Sequence, residues 1–501
     1  MVSLEPAVVT SLIPPAAVFL PLLGAFAALP LGRISERARV IGLAAVAAAT
    51  AALTLAVIPG VLAGTVYEAH LVRLTPEIWI HLRIDALGAL FGATVSVLWL
   101  IALVYSEGYM RDGHRLGRYY PFFMLCLGWT LGVAYSGNLL TFLIFYELFS
   151  ILTYPLIVHE ETPEAIAAGT KYIIYILVGG SIVLIGVVFT FFLAGEQTFV
   201  AGGILDASAD RTSLLLIFWC FVAGFGVKAA LVPLHGWVPD AHPAAPAPFS
   251  AVLSGVMVAA GSFGITRVVF QVFGVDLLLE LGVMPLLTAV AAFTVLFAAV
   301  LAVGQDDLKR RLAYSTISQM GYVALGIGLL GVDAVTGALV HISNHAFMKG
   351  TLFLCAGLFI KRLGIRRVSE MAGVARRMPV TTAAFALASL GMIGTPPLSG
   401  FISKWYLGLG ALEAQQPLQL AVLLGGAMLA AVYLLPVVYS AFFKQPPPVT
   451  GTEDSGAREA PLSMLVPTVI AASLTIVLGL AAAVPGLPYS LARLATETFF
   501  R

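Results

Sequence analysis

Ionisable side chains lie inside apolar segments at several points of the chain. Glu147 is in the middle of LLTFLIFYELFSILTYPL, and Lys228 is in AGFGVKAALVPL. A charge at hydrocarbon depth is unfavourable, so such a group either pairs with an opposite charge or exchanges a proton. Two interpretations follow. Glu147 and Lys228 form a static ion pair that fixes helix packing, or Glu147 binds a proton with an affinity that depends on a movable Lys228.

A second group lies in HISNHAFMKGTLFL, where His341, His345 and Lys349 follow one another at intervals of four residues. This spacing puts three protonatable groups on one face of a helix, an arrangement suited to passing protons along. Histidines buried only for packing are the alternative. The pattern does not favour zinc, because Ile342 follows His341 and the glutamate of an HExxH motif is missing. We therefore predict no metal site and no cofactor.

Further candidates lie close to prolines or to a predicted membrane boundary. Lys404 follows Pro396 and Pro397 by about two helical turns. Lys171 in GTKYIIYIL either extends to the cytoplasmic membrane surface or takes part in function. His235, Asp240 and His242 either line a cytoplasmic entry or cap helix ends. Of these last residues, we predict an entry role for His235 and a capping role for His242.

Two similar segments organise the chain. Residues 233–240 read PLHGWVPD and residues 397–404 read PLSGFISK, 164 positions apart. Proline removes a backbone donor and interrupts a helix. Interrupted helices in a membrane line protein interior or wet cavities. Five predicted helices separate the copies, so the copies run in opposite directions, as in an inverted-topology repeat. A chance match is the alternative.

Composition assigns the chain to a broad class. Of its 501 residues, 60% are hydrophobic and 11% charged, which indicates a polytopic membrane protein. A formal net charge of +1 without basic tracts gives no reason to expect nucleic acid. The three cysteines lie singly in apolar segments and are expected to be small buried side chains. Because no positive flank of a signal peptide precedes it, the first apolar segment is predicted to be a retained helix.

Segments of about 20 apolar residues predict fourteen transmembrane helices. They lie at 7–32, 38–60, 84–108, 118–136, 138–158, 165–194, 211–234, 242–273, 276–303, 308–331, 334–362, 378–410, 417–443 and 461–485. Between the second and third, YEAHLVRL and EIWIHLRI alternate around Thr75 and Pro76, which predicts a small hairpin; an irregular loop is the alternative.

The distribution of basic residues predicts the orientation. Seventeen of the 27 Lys and Arg residues follow odd-numbered predicted helices, five lie in the opposite loops and five lie within helices. By the positive-inside rule the basic side is cytoplasmic. Both termini are then expected on the outer side of a bacterial-type inner membrane.

Five segments together resemble one family. They are YELFSILTYPL at 146–156, VKAALVPLHGWVPDAHPAAPAPFSAVLSG at 227–255, DDLKRRLAYSTISQMGY at 306–322, HISNHAFMKGTLFLCAG at 341–357 and GTPPLSGFISKW at 394–405. The chain thus resembles the antiporter-like membrane subunits shared by Mrp-type sodium/proton antiporters, respiratory complex I and membrane-bound hydrogenases. With Lys404 and its overall length, it is most similar to the D component of the Mrp antiporters.

The resemblance implies an all-α fold of about fourteen helices, with inverted five-helix repeats in helices 4–8 and 9–13 and breaks in helices 7 and 12. It implies four regions: 1–117 with the hairpin, 118–273 and 276–443 as the two repeats, and 444–501. It also implies that Glu147 pairs with Lys228. Relatives carry a lysine or histidine on helix eight, at positions matching Ala259 or Ser254 here, so the link to the second repeat must use water, Ser254 or helix eleven.

We therefore expect a proton-translocating subunit of a multisubunit cation/proton antiporter. The first alternative is the same subunit in a redox-driven complex such as an NADH:quinone oxidoreductase or a hydrogenase. The second is a scaffold or a subunit of an energised uptake system. The expected partners are other hydrophobic subunits, lipid, protons and, for an antiporter, sodium; no catalytic chemistry is expected in the chain alone. The predicted site residues are Glu147, Lys228, His341, His345, Lys349, Lys404, Lys171, His235 and Asp240.

Overall fold

The computed structural model describes residues 7–74, 78–195, 197–445 and 459–501. The described part of the chain begins with strand β1 (Ala7–Thr10), followed by helices α1 (Ile13–Ile34), α2 (Glu36–Ala56) and α3 (Ile58–Leu62). The prediction of a helix from residue 7 was wrong for its first residues. Pro14 and Pro15 occupy the first turn of α1. Backbone amides in the first turn have no partner within the helix, so a proline there removes no hydrogen bond and the helix begins at this point.

Three strands, one before α1 and two after α3, form a sheet. Strand β2 (Thr65–Arg73) lies between β1, to which it is parallel, and β3 (Trp79–Ile84), to which it is antiparallel. The predicted hairpin is therefore present, while its turn at residues 75–77 lies outside the described residues. The strand β1 was not predicted, because its partner lies more than 50 residues away in sequence.

The first half of the bundle continues with α4 to α11 and contains two π-helical turns, Leu253–Met257 and Val268–Phe273. Asp85, Asn138, Thr162 and Asp210 cap four of these helices by accepting hydrogen bonds from backbone amides. The helices are α4 (Ala86–Tyr109), α5 (Leu116–Ala134), α6 (Leu139–Ile157), α7 (Pro163–Ala194), α8 (Arg211–Lys228), α9 (Val238–Ala244), α10 (Ala247–Val252) and α11 (Ala259–Arg267).

The helix predicted to continue to residue 234 ends at Lys228, before Pro233. Because proline cannot donate a backbone hydrogen bond, the chain leaves the helix at this point. The segment Ala247–Phe273, which contains α10, α11 and both π-helical turns, is buried along its whole length. It therefore contacts protein on all sides.

The second half of the bundle is likewise formed by helices. Its helices are α12 (Val275–Leu281), α13 (Met284–Val303), α14 (Leu308–Gly328), α15 (Val332–Leu363), α16 (Val374–Arg377), α17 (Pro379–Ile393), α18 (Ser399–Glu413), α19 (Pro417–Phe443), α20 (Leu462–Leu480) and α21 (Pro488–Phe499).

Two features of this half differ from the predictions, and the predicted break in helix 12 is present. The segment 276–303 is two helices, because Gly282 adopts φ 66° and ends α12. The break predicted in the segment 378–410 lies after Ile393, where Gly394 adopts φ 100°. Helix α21 was not predicted, since its sequence is too short and too polar to span a membrane.

The described part of the chain contains ten helices that are long and apolar enough to cross a membrane, so this is an integral membrane protein. The other predicted spans correspond to α5, α14, α15 and the interrupted pair α17 and α18. The total of fourteen and the inverted relation of the two repeats stay predictions.

Helix α15 lies at the centre of the second half. Every one of its residues from Ala334 to Phe359 is buried. It packs against α14, α17, α18 and α20, and also against α4 and α10 from the first half. Its polar side chains therefore face other helices and not lipid.

Candidate functional site

Glu147 lies on α6 and faces α7. A Cβ atom at Gly180 would overlap its Oε1 atom and lie 2.7 Å from Oε2, so the carboxylate occupies the space that this glycine leaves. Its buried Oε1 atom has no hydrogen-bond partner among the described residues. A carboxylate in this state can accept a proton or a hydrogen bond from a side chain that moves towards it.

Lys228, the last residue of α8, is completely buried. Its Nζ atom donates to Tyr172 OH at 3.0 Å and to Ser150 Oγ at 3.3 Å. The same atom lies 4.2 Å from the Phe149 ring centroid and 6.0 Å from that of Trp237. These contacts enclose the amine in an aromatic and hydroxyl environment.

Glu147 and Lys228 form no direct ion pair in the described structure. The static ion pair of the sequence analysis is therefore absent. The two groups nevertheless interact electrostatically. The two groups therefore interact without a direct contact between their charged atoms.

The broken segment after α8 satisfies its own backbone. Trp237 Nε1 donates to the Val227 carbonyl at 2.8 Å, and the Val232 amide donates to Thr294 Oγ1 of α13 at 3.0 Å. Side chains thus replace the helical hydrogen bonds that Pro233 removes. The break is therefore a stable part of the fold.

Lys171 and Asp240 lie at one end of the bundle. Lys171 Nζ is 2.7 Å from Asp240 Oδ2, and Arg310 Nη2 is 3.4 Å from Asp240 Oδ1. Both line a cavity of about 930 Å³, which His114, His159, Lys309 and several loop residues also line. The basic loops of the predicted cytoplasmic side surround this cavity.

His159 lies in the loop between α6 and α7, at the edge of this cavity. Burial lowers its pKa to about 4, and the charges of His114 and Arg118 add to this effect. Neither ring nitrogen has a hydrogen-bond partner in the described structure. The ring is therefore neutral at physiological pH.

The two histidines near the first break lie in different surroundings. His235 is half-buried, with its ring edge against Phe297, and it is not among the residues that line the cavity. His242 is completely buried against Phe353, and neither ring nitrogen caps a helix end or has a partner in the described structure. The capping prediction for His242 was wrong. Its ring lies near enough to Lys309 and Lys349 to interact with their charges.

The three predicted residues of α15 lie on one buried face. His341 binds Ser403 Oγ through Nδ1 at 2.8 Å and Gln319 Oε1 through Nε2 at 3.0 Å. The ring centroids of His341 and His345 are 6.1 Å apart, and His345 has no hydrogen-bond partner among the described residues. The histidines therefore form two successive positions along the helix.

Lys349 continues this face. Its Nζ atom donates to Ser315 Oγ at 2.6 Å and to the Leu312 carbonyl at 3.4 Å, both on α14. Ser315 is in turn bonded to Tyr433 OH at 2.8 Å. No carboxylate pairs with Lys349 in the described residues, so neutral oxygen atoms alone hold the amine.

Lys404 lies at the second break. Its Nζ atom donates to the carbonyls of Met392 at 2.7 Å and Ile393 at 3.1 Å, the last residues of α17. A cation is favoured at this position because the carbonyl end of a helix carries partial negative charge. The amine also lies 4.8 Å from the Tyr322 ring, whose centroid is 5.9 Å from that of His341.

Comparison with known proteins identifies the family. Residues 136–430 match the model of the NADH:quinone oxidoreductase/Mrp antiporter transmembrane family. The chain is 36% identical over 94% of its length to NADH-quinone oxidoreductase subunit N of Desulforudis audaxviator, of which it covers 96%. The chain belongs to this family.

Two further similarities extend this result. Hydrogenase-4 component B of Escherichia coli is 34% identical over 80% of the chain, which spans 62% of that longer protein. A chain of the Mrp complex from Dietzia sp. has the same fold, with a TM-score of 0.86, 24% identity and coverage of 98% of this chain and 100% of that one. The resemblance predicted from the sequence motifs is confirmed.

Sequence reasoning missed several features of this family member. Arg267, 2% exposed, forms a two-pronged ion pair with Asp85 at the start of α4. Its position within an apolar segment was visible in the sequence, but the partner 182 residues away was not. The surroundings of Lys228 and the unpartnered ring of His242 were missed for the same reason, since both depend on contacts between distant helices.

The predicted link through Ser254 has a partial counterpart. Ser254 Oγ lies 2.6 Å from Thr316 Oγ1 and so joins the first π-helical turn to α14.

The cysteines are free; Cys126 and Cys355 are buried as predicted, whereas Cys220 is half-buried.

Proposed function

We propose that this chain carries protons across the membrane as one subunit of a multisubunit complex. The observation that supports this most directly is the state of the buried charges. Lys228, Lys349 and Lys404 are held by hydroxyl groups, carbonyls and aromatic rings, and not by carboxylates. A buried amine without a counter-charge is costly to keep charged, so it can release and take up a proton.

In the first half, Glu147 and Lys228 act together. When Lys228 is bonded to Tyr172 and Ser150, Glu147 is left without a cation and takes up a proton. When the amine moves to Glu147, the proton is released. Lys171 and Asp240 lie at the edge of the cavity through which protons would enter.

In the second half, the proton passes along α15. His242 interacts with the charges of both Lys309 at the cavity and Lys349, and its two ring nitrogens have no partner in the described structure, which suits it to a bridging role. Lys349, His345 and His341 follow, and Lys404 at the second break ends the path. The two predicted repeats, 118–273 and 276–443, would each carry one half of it. His235 has no position on this path.

Two complexes are candidates. A cation/proton antiporter of the Mrp type, with this chain in the place of the D component, is supported by the full-length agreement with the Mrp fold. A redox-driven quinone oxidoreductase is supported by the 36% identity to the Desulforudis protein over nearly the whole chain. In either case sodium exchange or electron transfer would involve partner subunits.

We also propose that both termini lie outside the cytoplasm. Strand β1 pairs with β2, and α21 packs against α3, so the two ends of the described chain lie near the segments that follow α2. The basic loops, with the Lys361 amine bonded to the Arg111 carbonyl, gather around the cavity at the α4–α5 connection.

The test uses the complex as it is expressed. We would purify it by a tag on this chain, identify the subunits that copurify, and measure proton uptake into inside-out vesicles energised in turn by NADH and by a sodium gradient. Lys228→Ala should leave assembly intact and abolish uptake, while Lys444→Ala, an exposed lysine, should have no effect. Normal uptake by Lys228→Ala would instead indicate a scaffold.

A further inference from the structure

Three side chains of metal-ligand type lie together on the hairpin. Glu68 and His70 are two residues apart on β2, and His81 lies directly opposite His70 on β3. Side chains two residues apart on a strand share a face. The nearest ligand atoms of all three lie within 4.8 Å of one another, which makes them the one such cluster of three in the described chain.

The contacts within this cluster are incomplete. The rings of His70 and His81 are stacked, with centroids 4.2 Å apart and planes 7° apart. Glu68 Oε2 is 3.5 Å from His81 Nε2, and Glu68 Oε1 is 3.4 Å from Arg83 Nε. The side chain of His81 is only 5% exposed, yet its Nε2 atom has no hydrogen-bond partner in the described structure. The 3.5 Å contact with Glu68 is too long to satisfy a buried nitrogen fully.

A small space adjoins the two histidines. A cavity of about 40 Å³ is lined by His70, His81, Trp79 and Asn138, together with Gly195 and Gln197. This volume is sufficient for an ion with a bound water. The two imidazoles thus border the same small space, and the carboxylate is beside them.

We propose that Glu68, His70 and His81 bind a divalent transition metal ion of the zinc class. Two imidazoles and one carboxylate are a common zinc donor set, and three protein ligands leave a fourth position for water. A metal ion lies in the plane of each imidazole that binds it, so one of the two stacked rings would turn on binding. Glu68 contributes one negative charge, and it would exchange its long contact with Arg83 for the ion. Magnesium and calcium prefer sites made of oxygen atoms and do not match this set.

The bound ion would fix the hairpin to the bundle. The His81 carbonyl already accepts a bond from the Gly137 amide at 2.8 Å, and the His81 amide donates to Thr141 Oγ1 at 3.0 Å. Asn138, the cap of α6, donates to the Trp79 carbonyl at 2.8 Å. Metal binding would therefore join β2 and β3 to the start of α6, the helix that carries Glu147.

The experiment uses the detergent-purified complex with the full chain. After treatment with EDTA, zinc chloride is added and bound zinc is measured by mass spectrometry over a range of free zinc concentrations. We expect the wild type to bind one zinc ion per chain more than His70→Ala, whose affinity at this site should fall at least ~10-fold. His70 is exposed, so its replacement should leave folding intact.

The control variant is His114→Ala, an exposed histidine at the opposite end of the bundle, which should bind as much zinc as the wild type. Zinc, but not magnesium chloride, should raise the unfolding temperature of the wild type and of His114→Ala more than that of His70→Ala. X-ray absorption at the zinc edge should show imidazole ligands. Equal zinc binding by the wild type and His70→Ala overturns the proposal, and it does so whether or not the complex transports protons.

Discussion

Substituting Gly180 by alanine tests the role of Glu147 without altering any ionisable group. The three atoms nearest to the added methyl group all belong to Glu147, and its Cδ atom would lie only 2.5 Å away. Non-bonded carbon atoms prefer about 3.5–4.0 Å, so the carboxylate must move by about 1 Å. The backbone can stay in place, because only the end of a flexible side chain obstructs the methyl group.

The expected magnitude follows from this displacement. Holding a side chain about 30° off its rotamer costs roughly 0.5–1.5 kcal/mol. If the proton-transfer step bears this energy, the rate of proton uptake falls about 2- to 13-fold, since 1.36 kcal/mol corresponds to a factor of ten. Thermal stability should be unchanged or slightly higher, because alanine favours the interior of α7 more than glycine does.

The assay is the initial rate of proton uptake into inside-out vesicles, divided by the amount of assembled complex. Gly179→Ala is the matched control on the same helix. Its methyl group would lie 3.0 Å from Val227 Cβ and 3.1 Å from the Gly224 carbonyl of α8, so it should lower the unfolding temperature. A full uptake rate in Gly180→Ala at normal stability would refute the idea that the position of Glu147 matters.

Three further predictions concern other parts of the molecule. Arg267→Met leaves the Asp85 carboxylate without its ion-pair partner and should lower the free energy of unfolding by about 3–5 kcal/mol. Adding Asp85→Asn should restore part of this loss, as measured by thermal unfolding of the complex. Ser315→Ala removes the 2.6 Å acceptor of Lys349 and should slow proton uptake roughly 10-fold or more, with assembly unchanged on a native gel. The pKa of His159 is lowered to about 4 in the folded protein, so between about pH 6.5 and 4 the unfolded state binds a proton that the folded state does not. The free energy of unfolding should therefore fall over this range, by at most roughly 3 kcal/mol. His159→Phe should flatten this part of the pH–stability curve, and an unchanged curve contradicts the assignment.

Much of the fold was predictable because local physics determines it. Apolar segments long enough to cross the membrane predicted most helix ends to within a few residues, and the prolines at 233 and 396–397 predicted both interruptions. The spacing of His341, His345 and Lys349 placed them on one buried face. In each case the information lies within about 30 consecutive residues.

Features that depend on distant contacts were not predictable in this way. Residues 7–10 form a strand only because residues 65–68 lie beside them. The opposition of His70 and His81 requires the register of the hairpin. Likewise, the space for the Glu147 carboxylate depends on a glycine in the following helix, and no pattern within α6 indicates it.

The complete burial of Ala247–Phe273 bears on how the bilayer affects this protein. Hydrophobic mismatch acts on helices that touch lipid, at fractions of a kcal/mol per Å. In the isolated chain, α1, α7 and α19 present much of their surface outward and would take up such forces by tilting. The central segment has no lipid-facing side, so changes in membrane thickness reach it only after the outer helices have absorbed part of them.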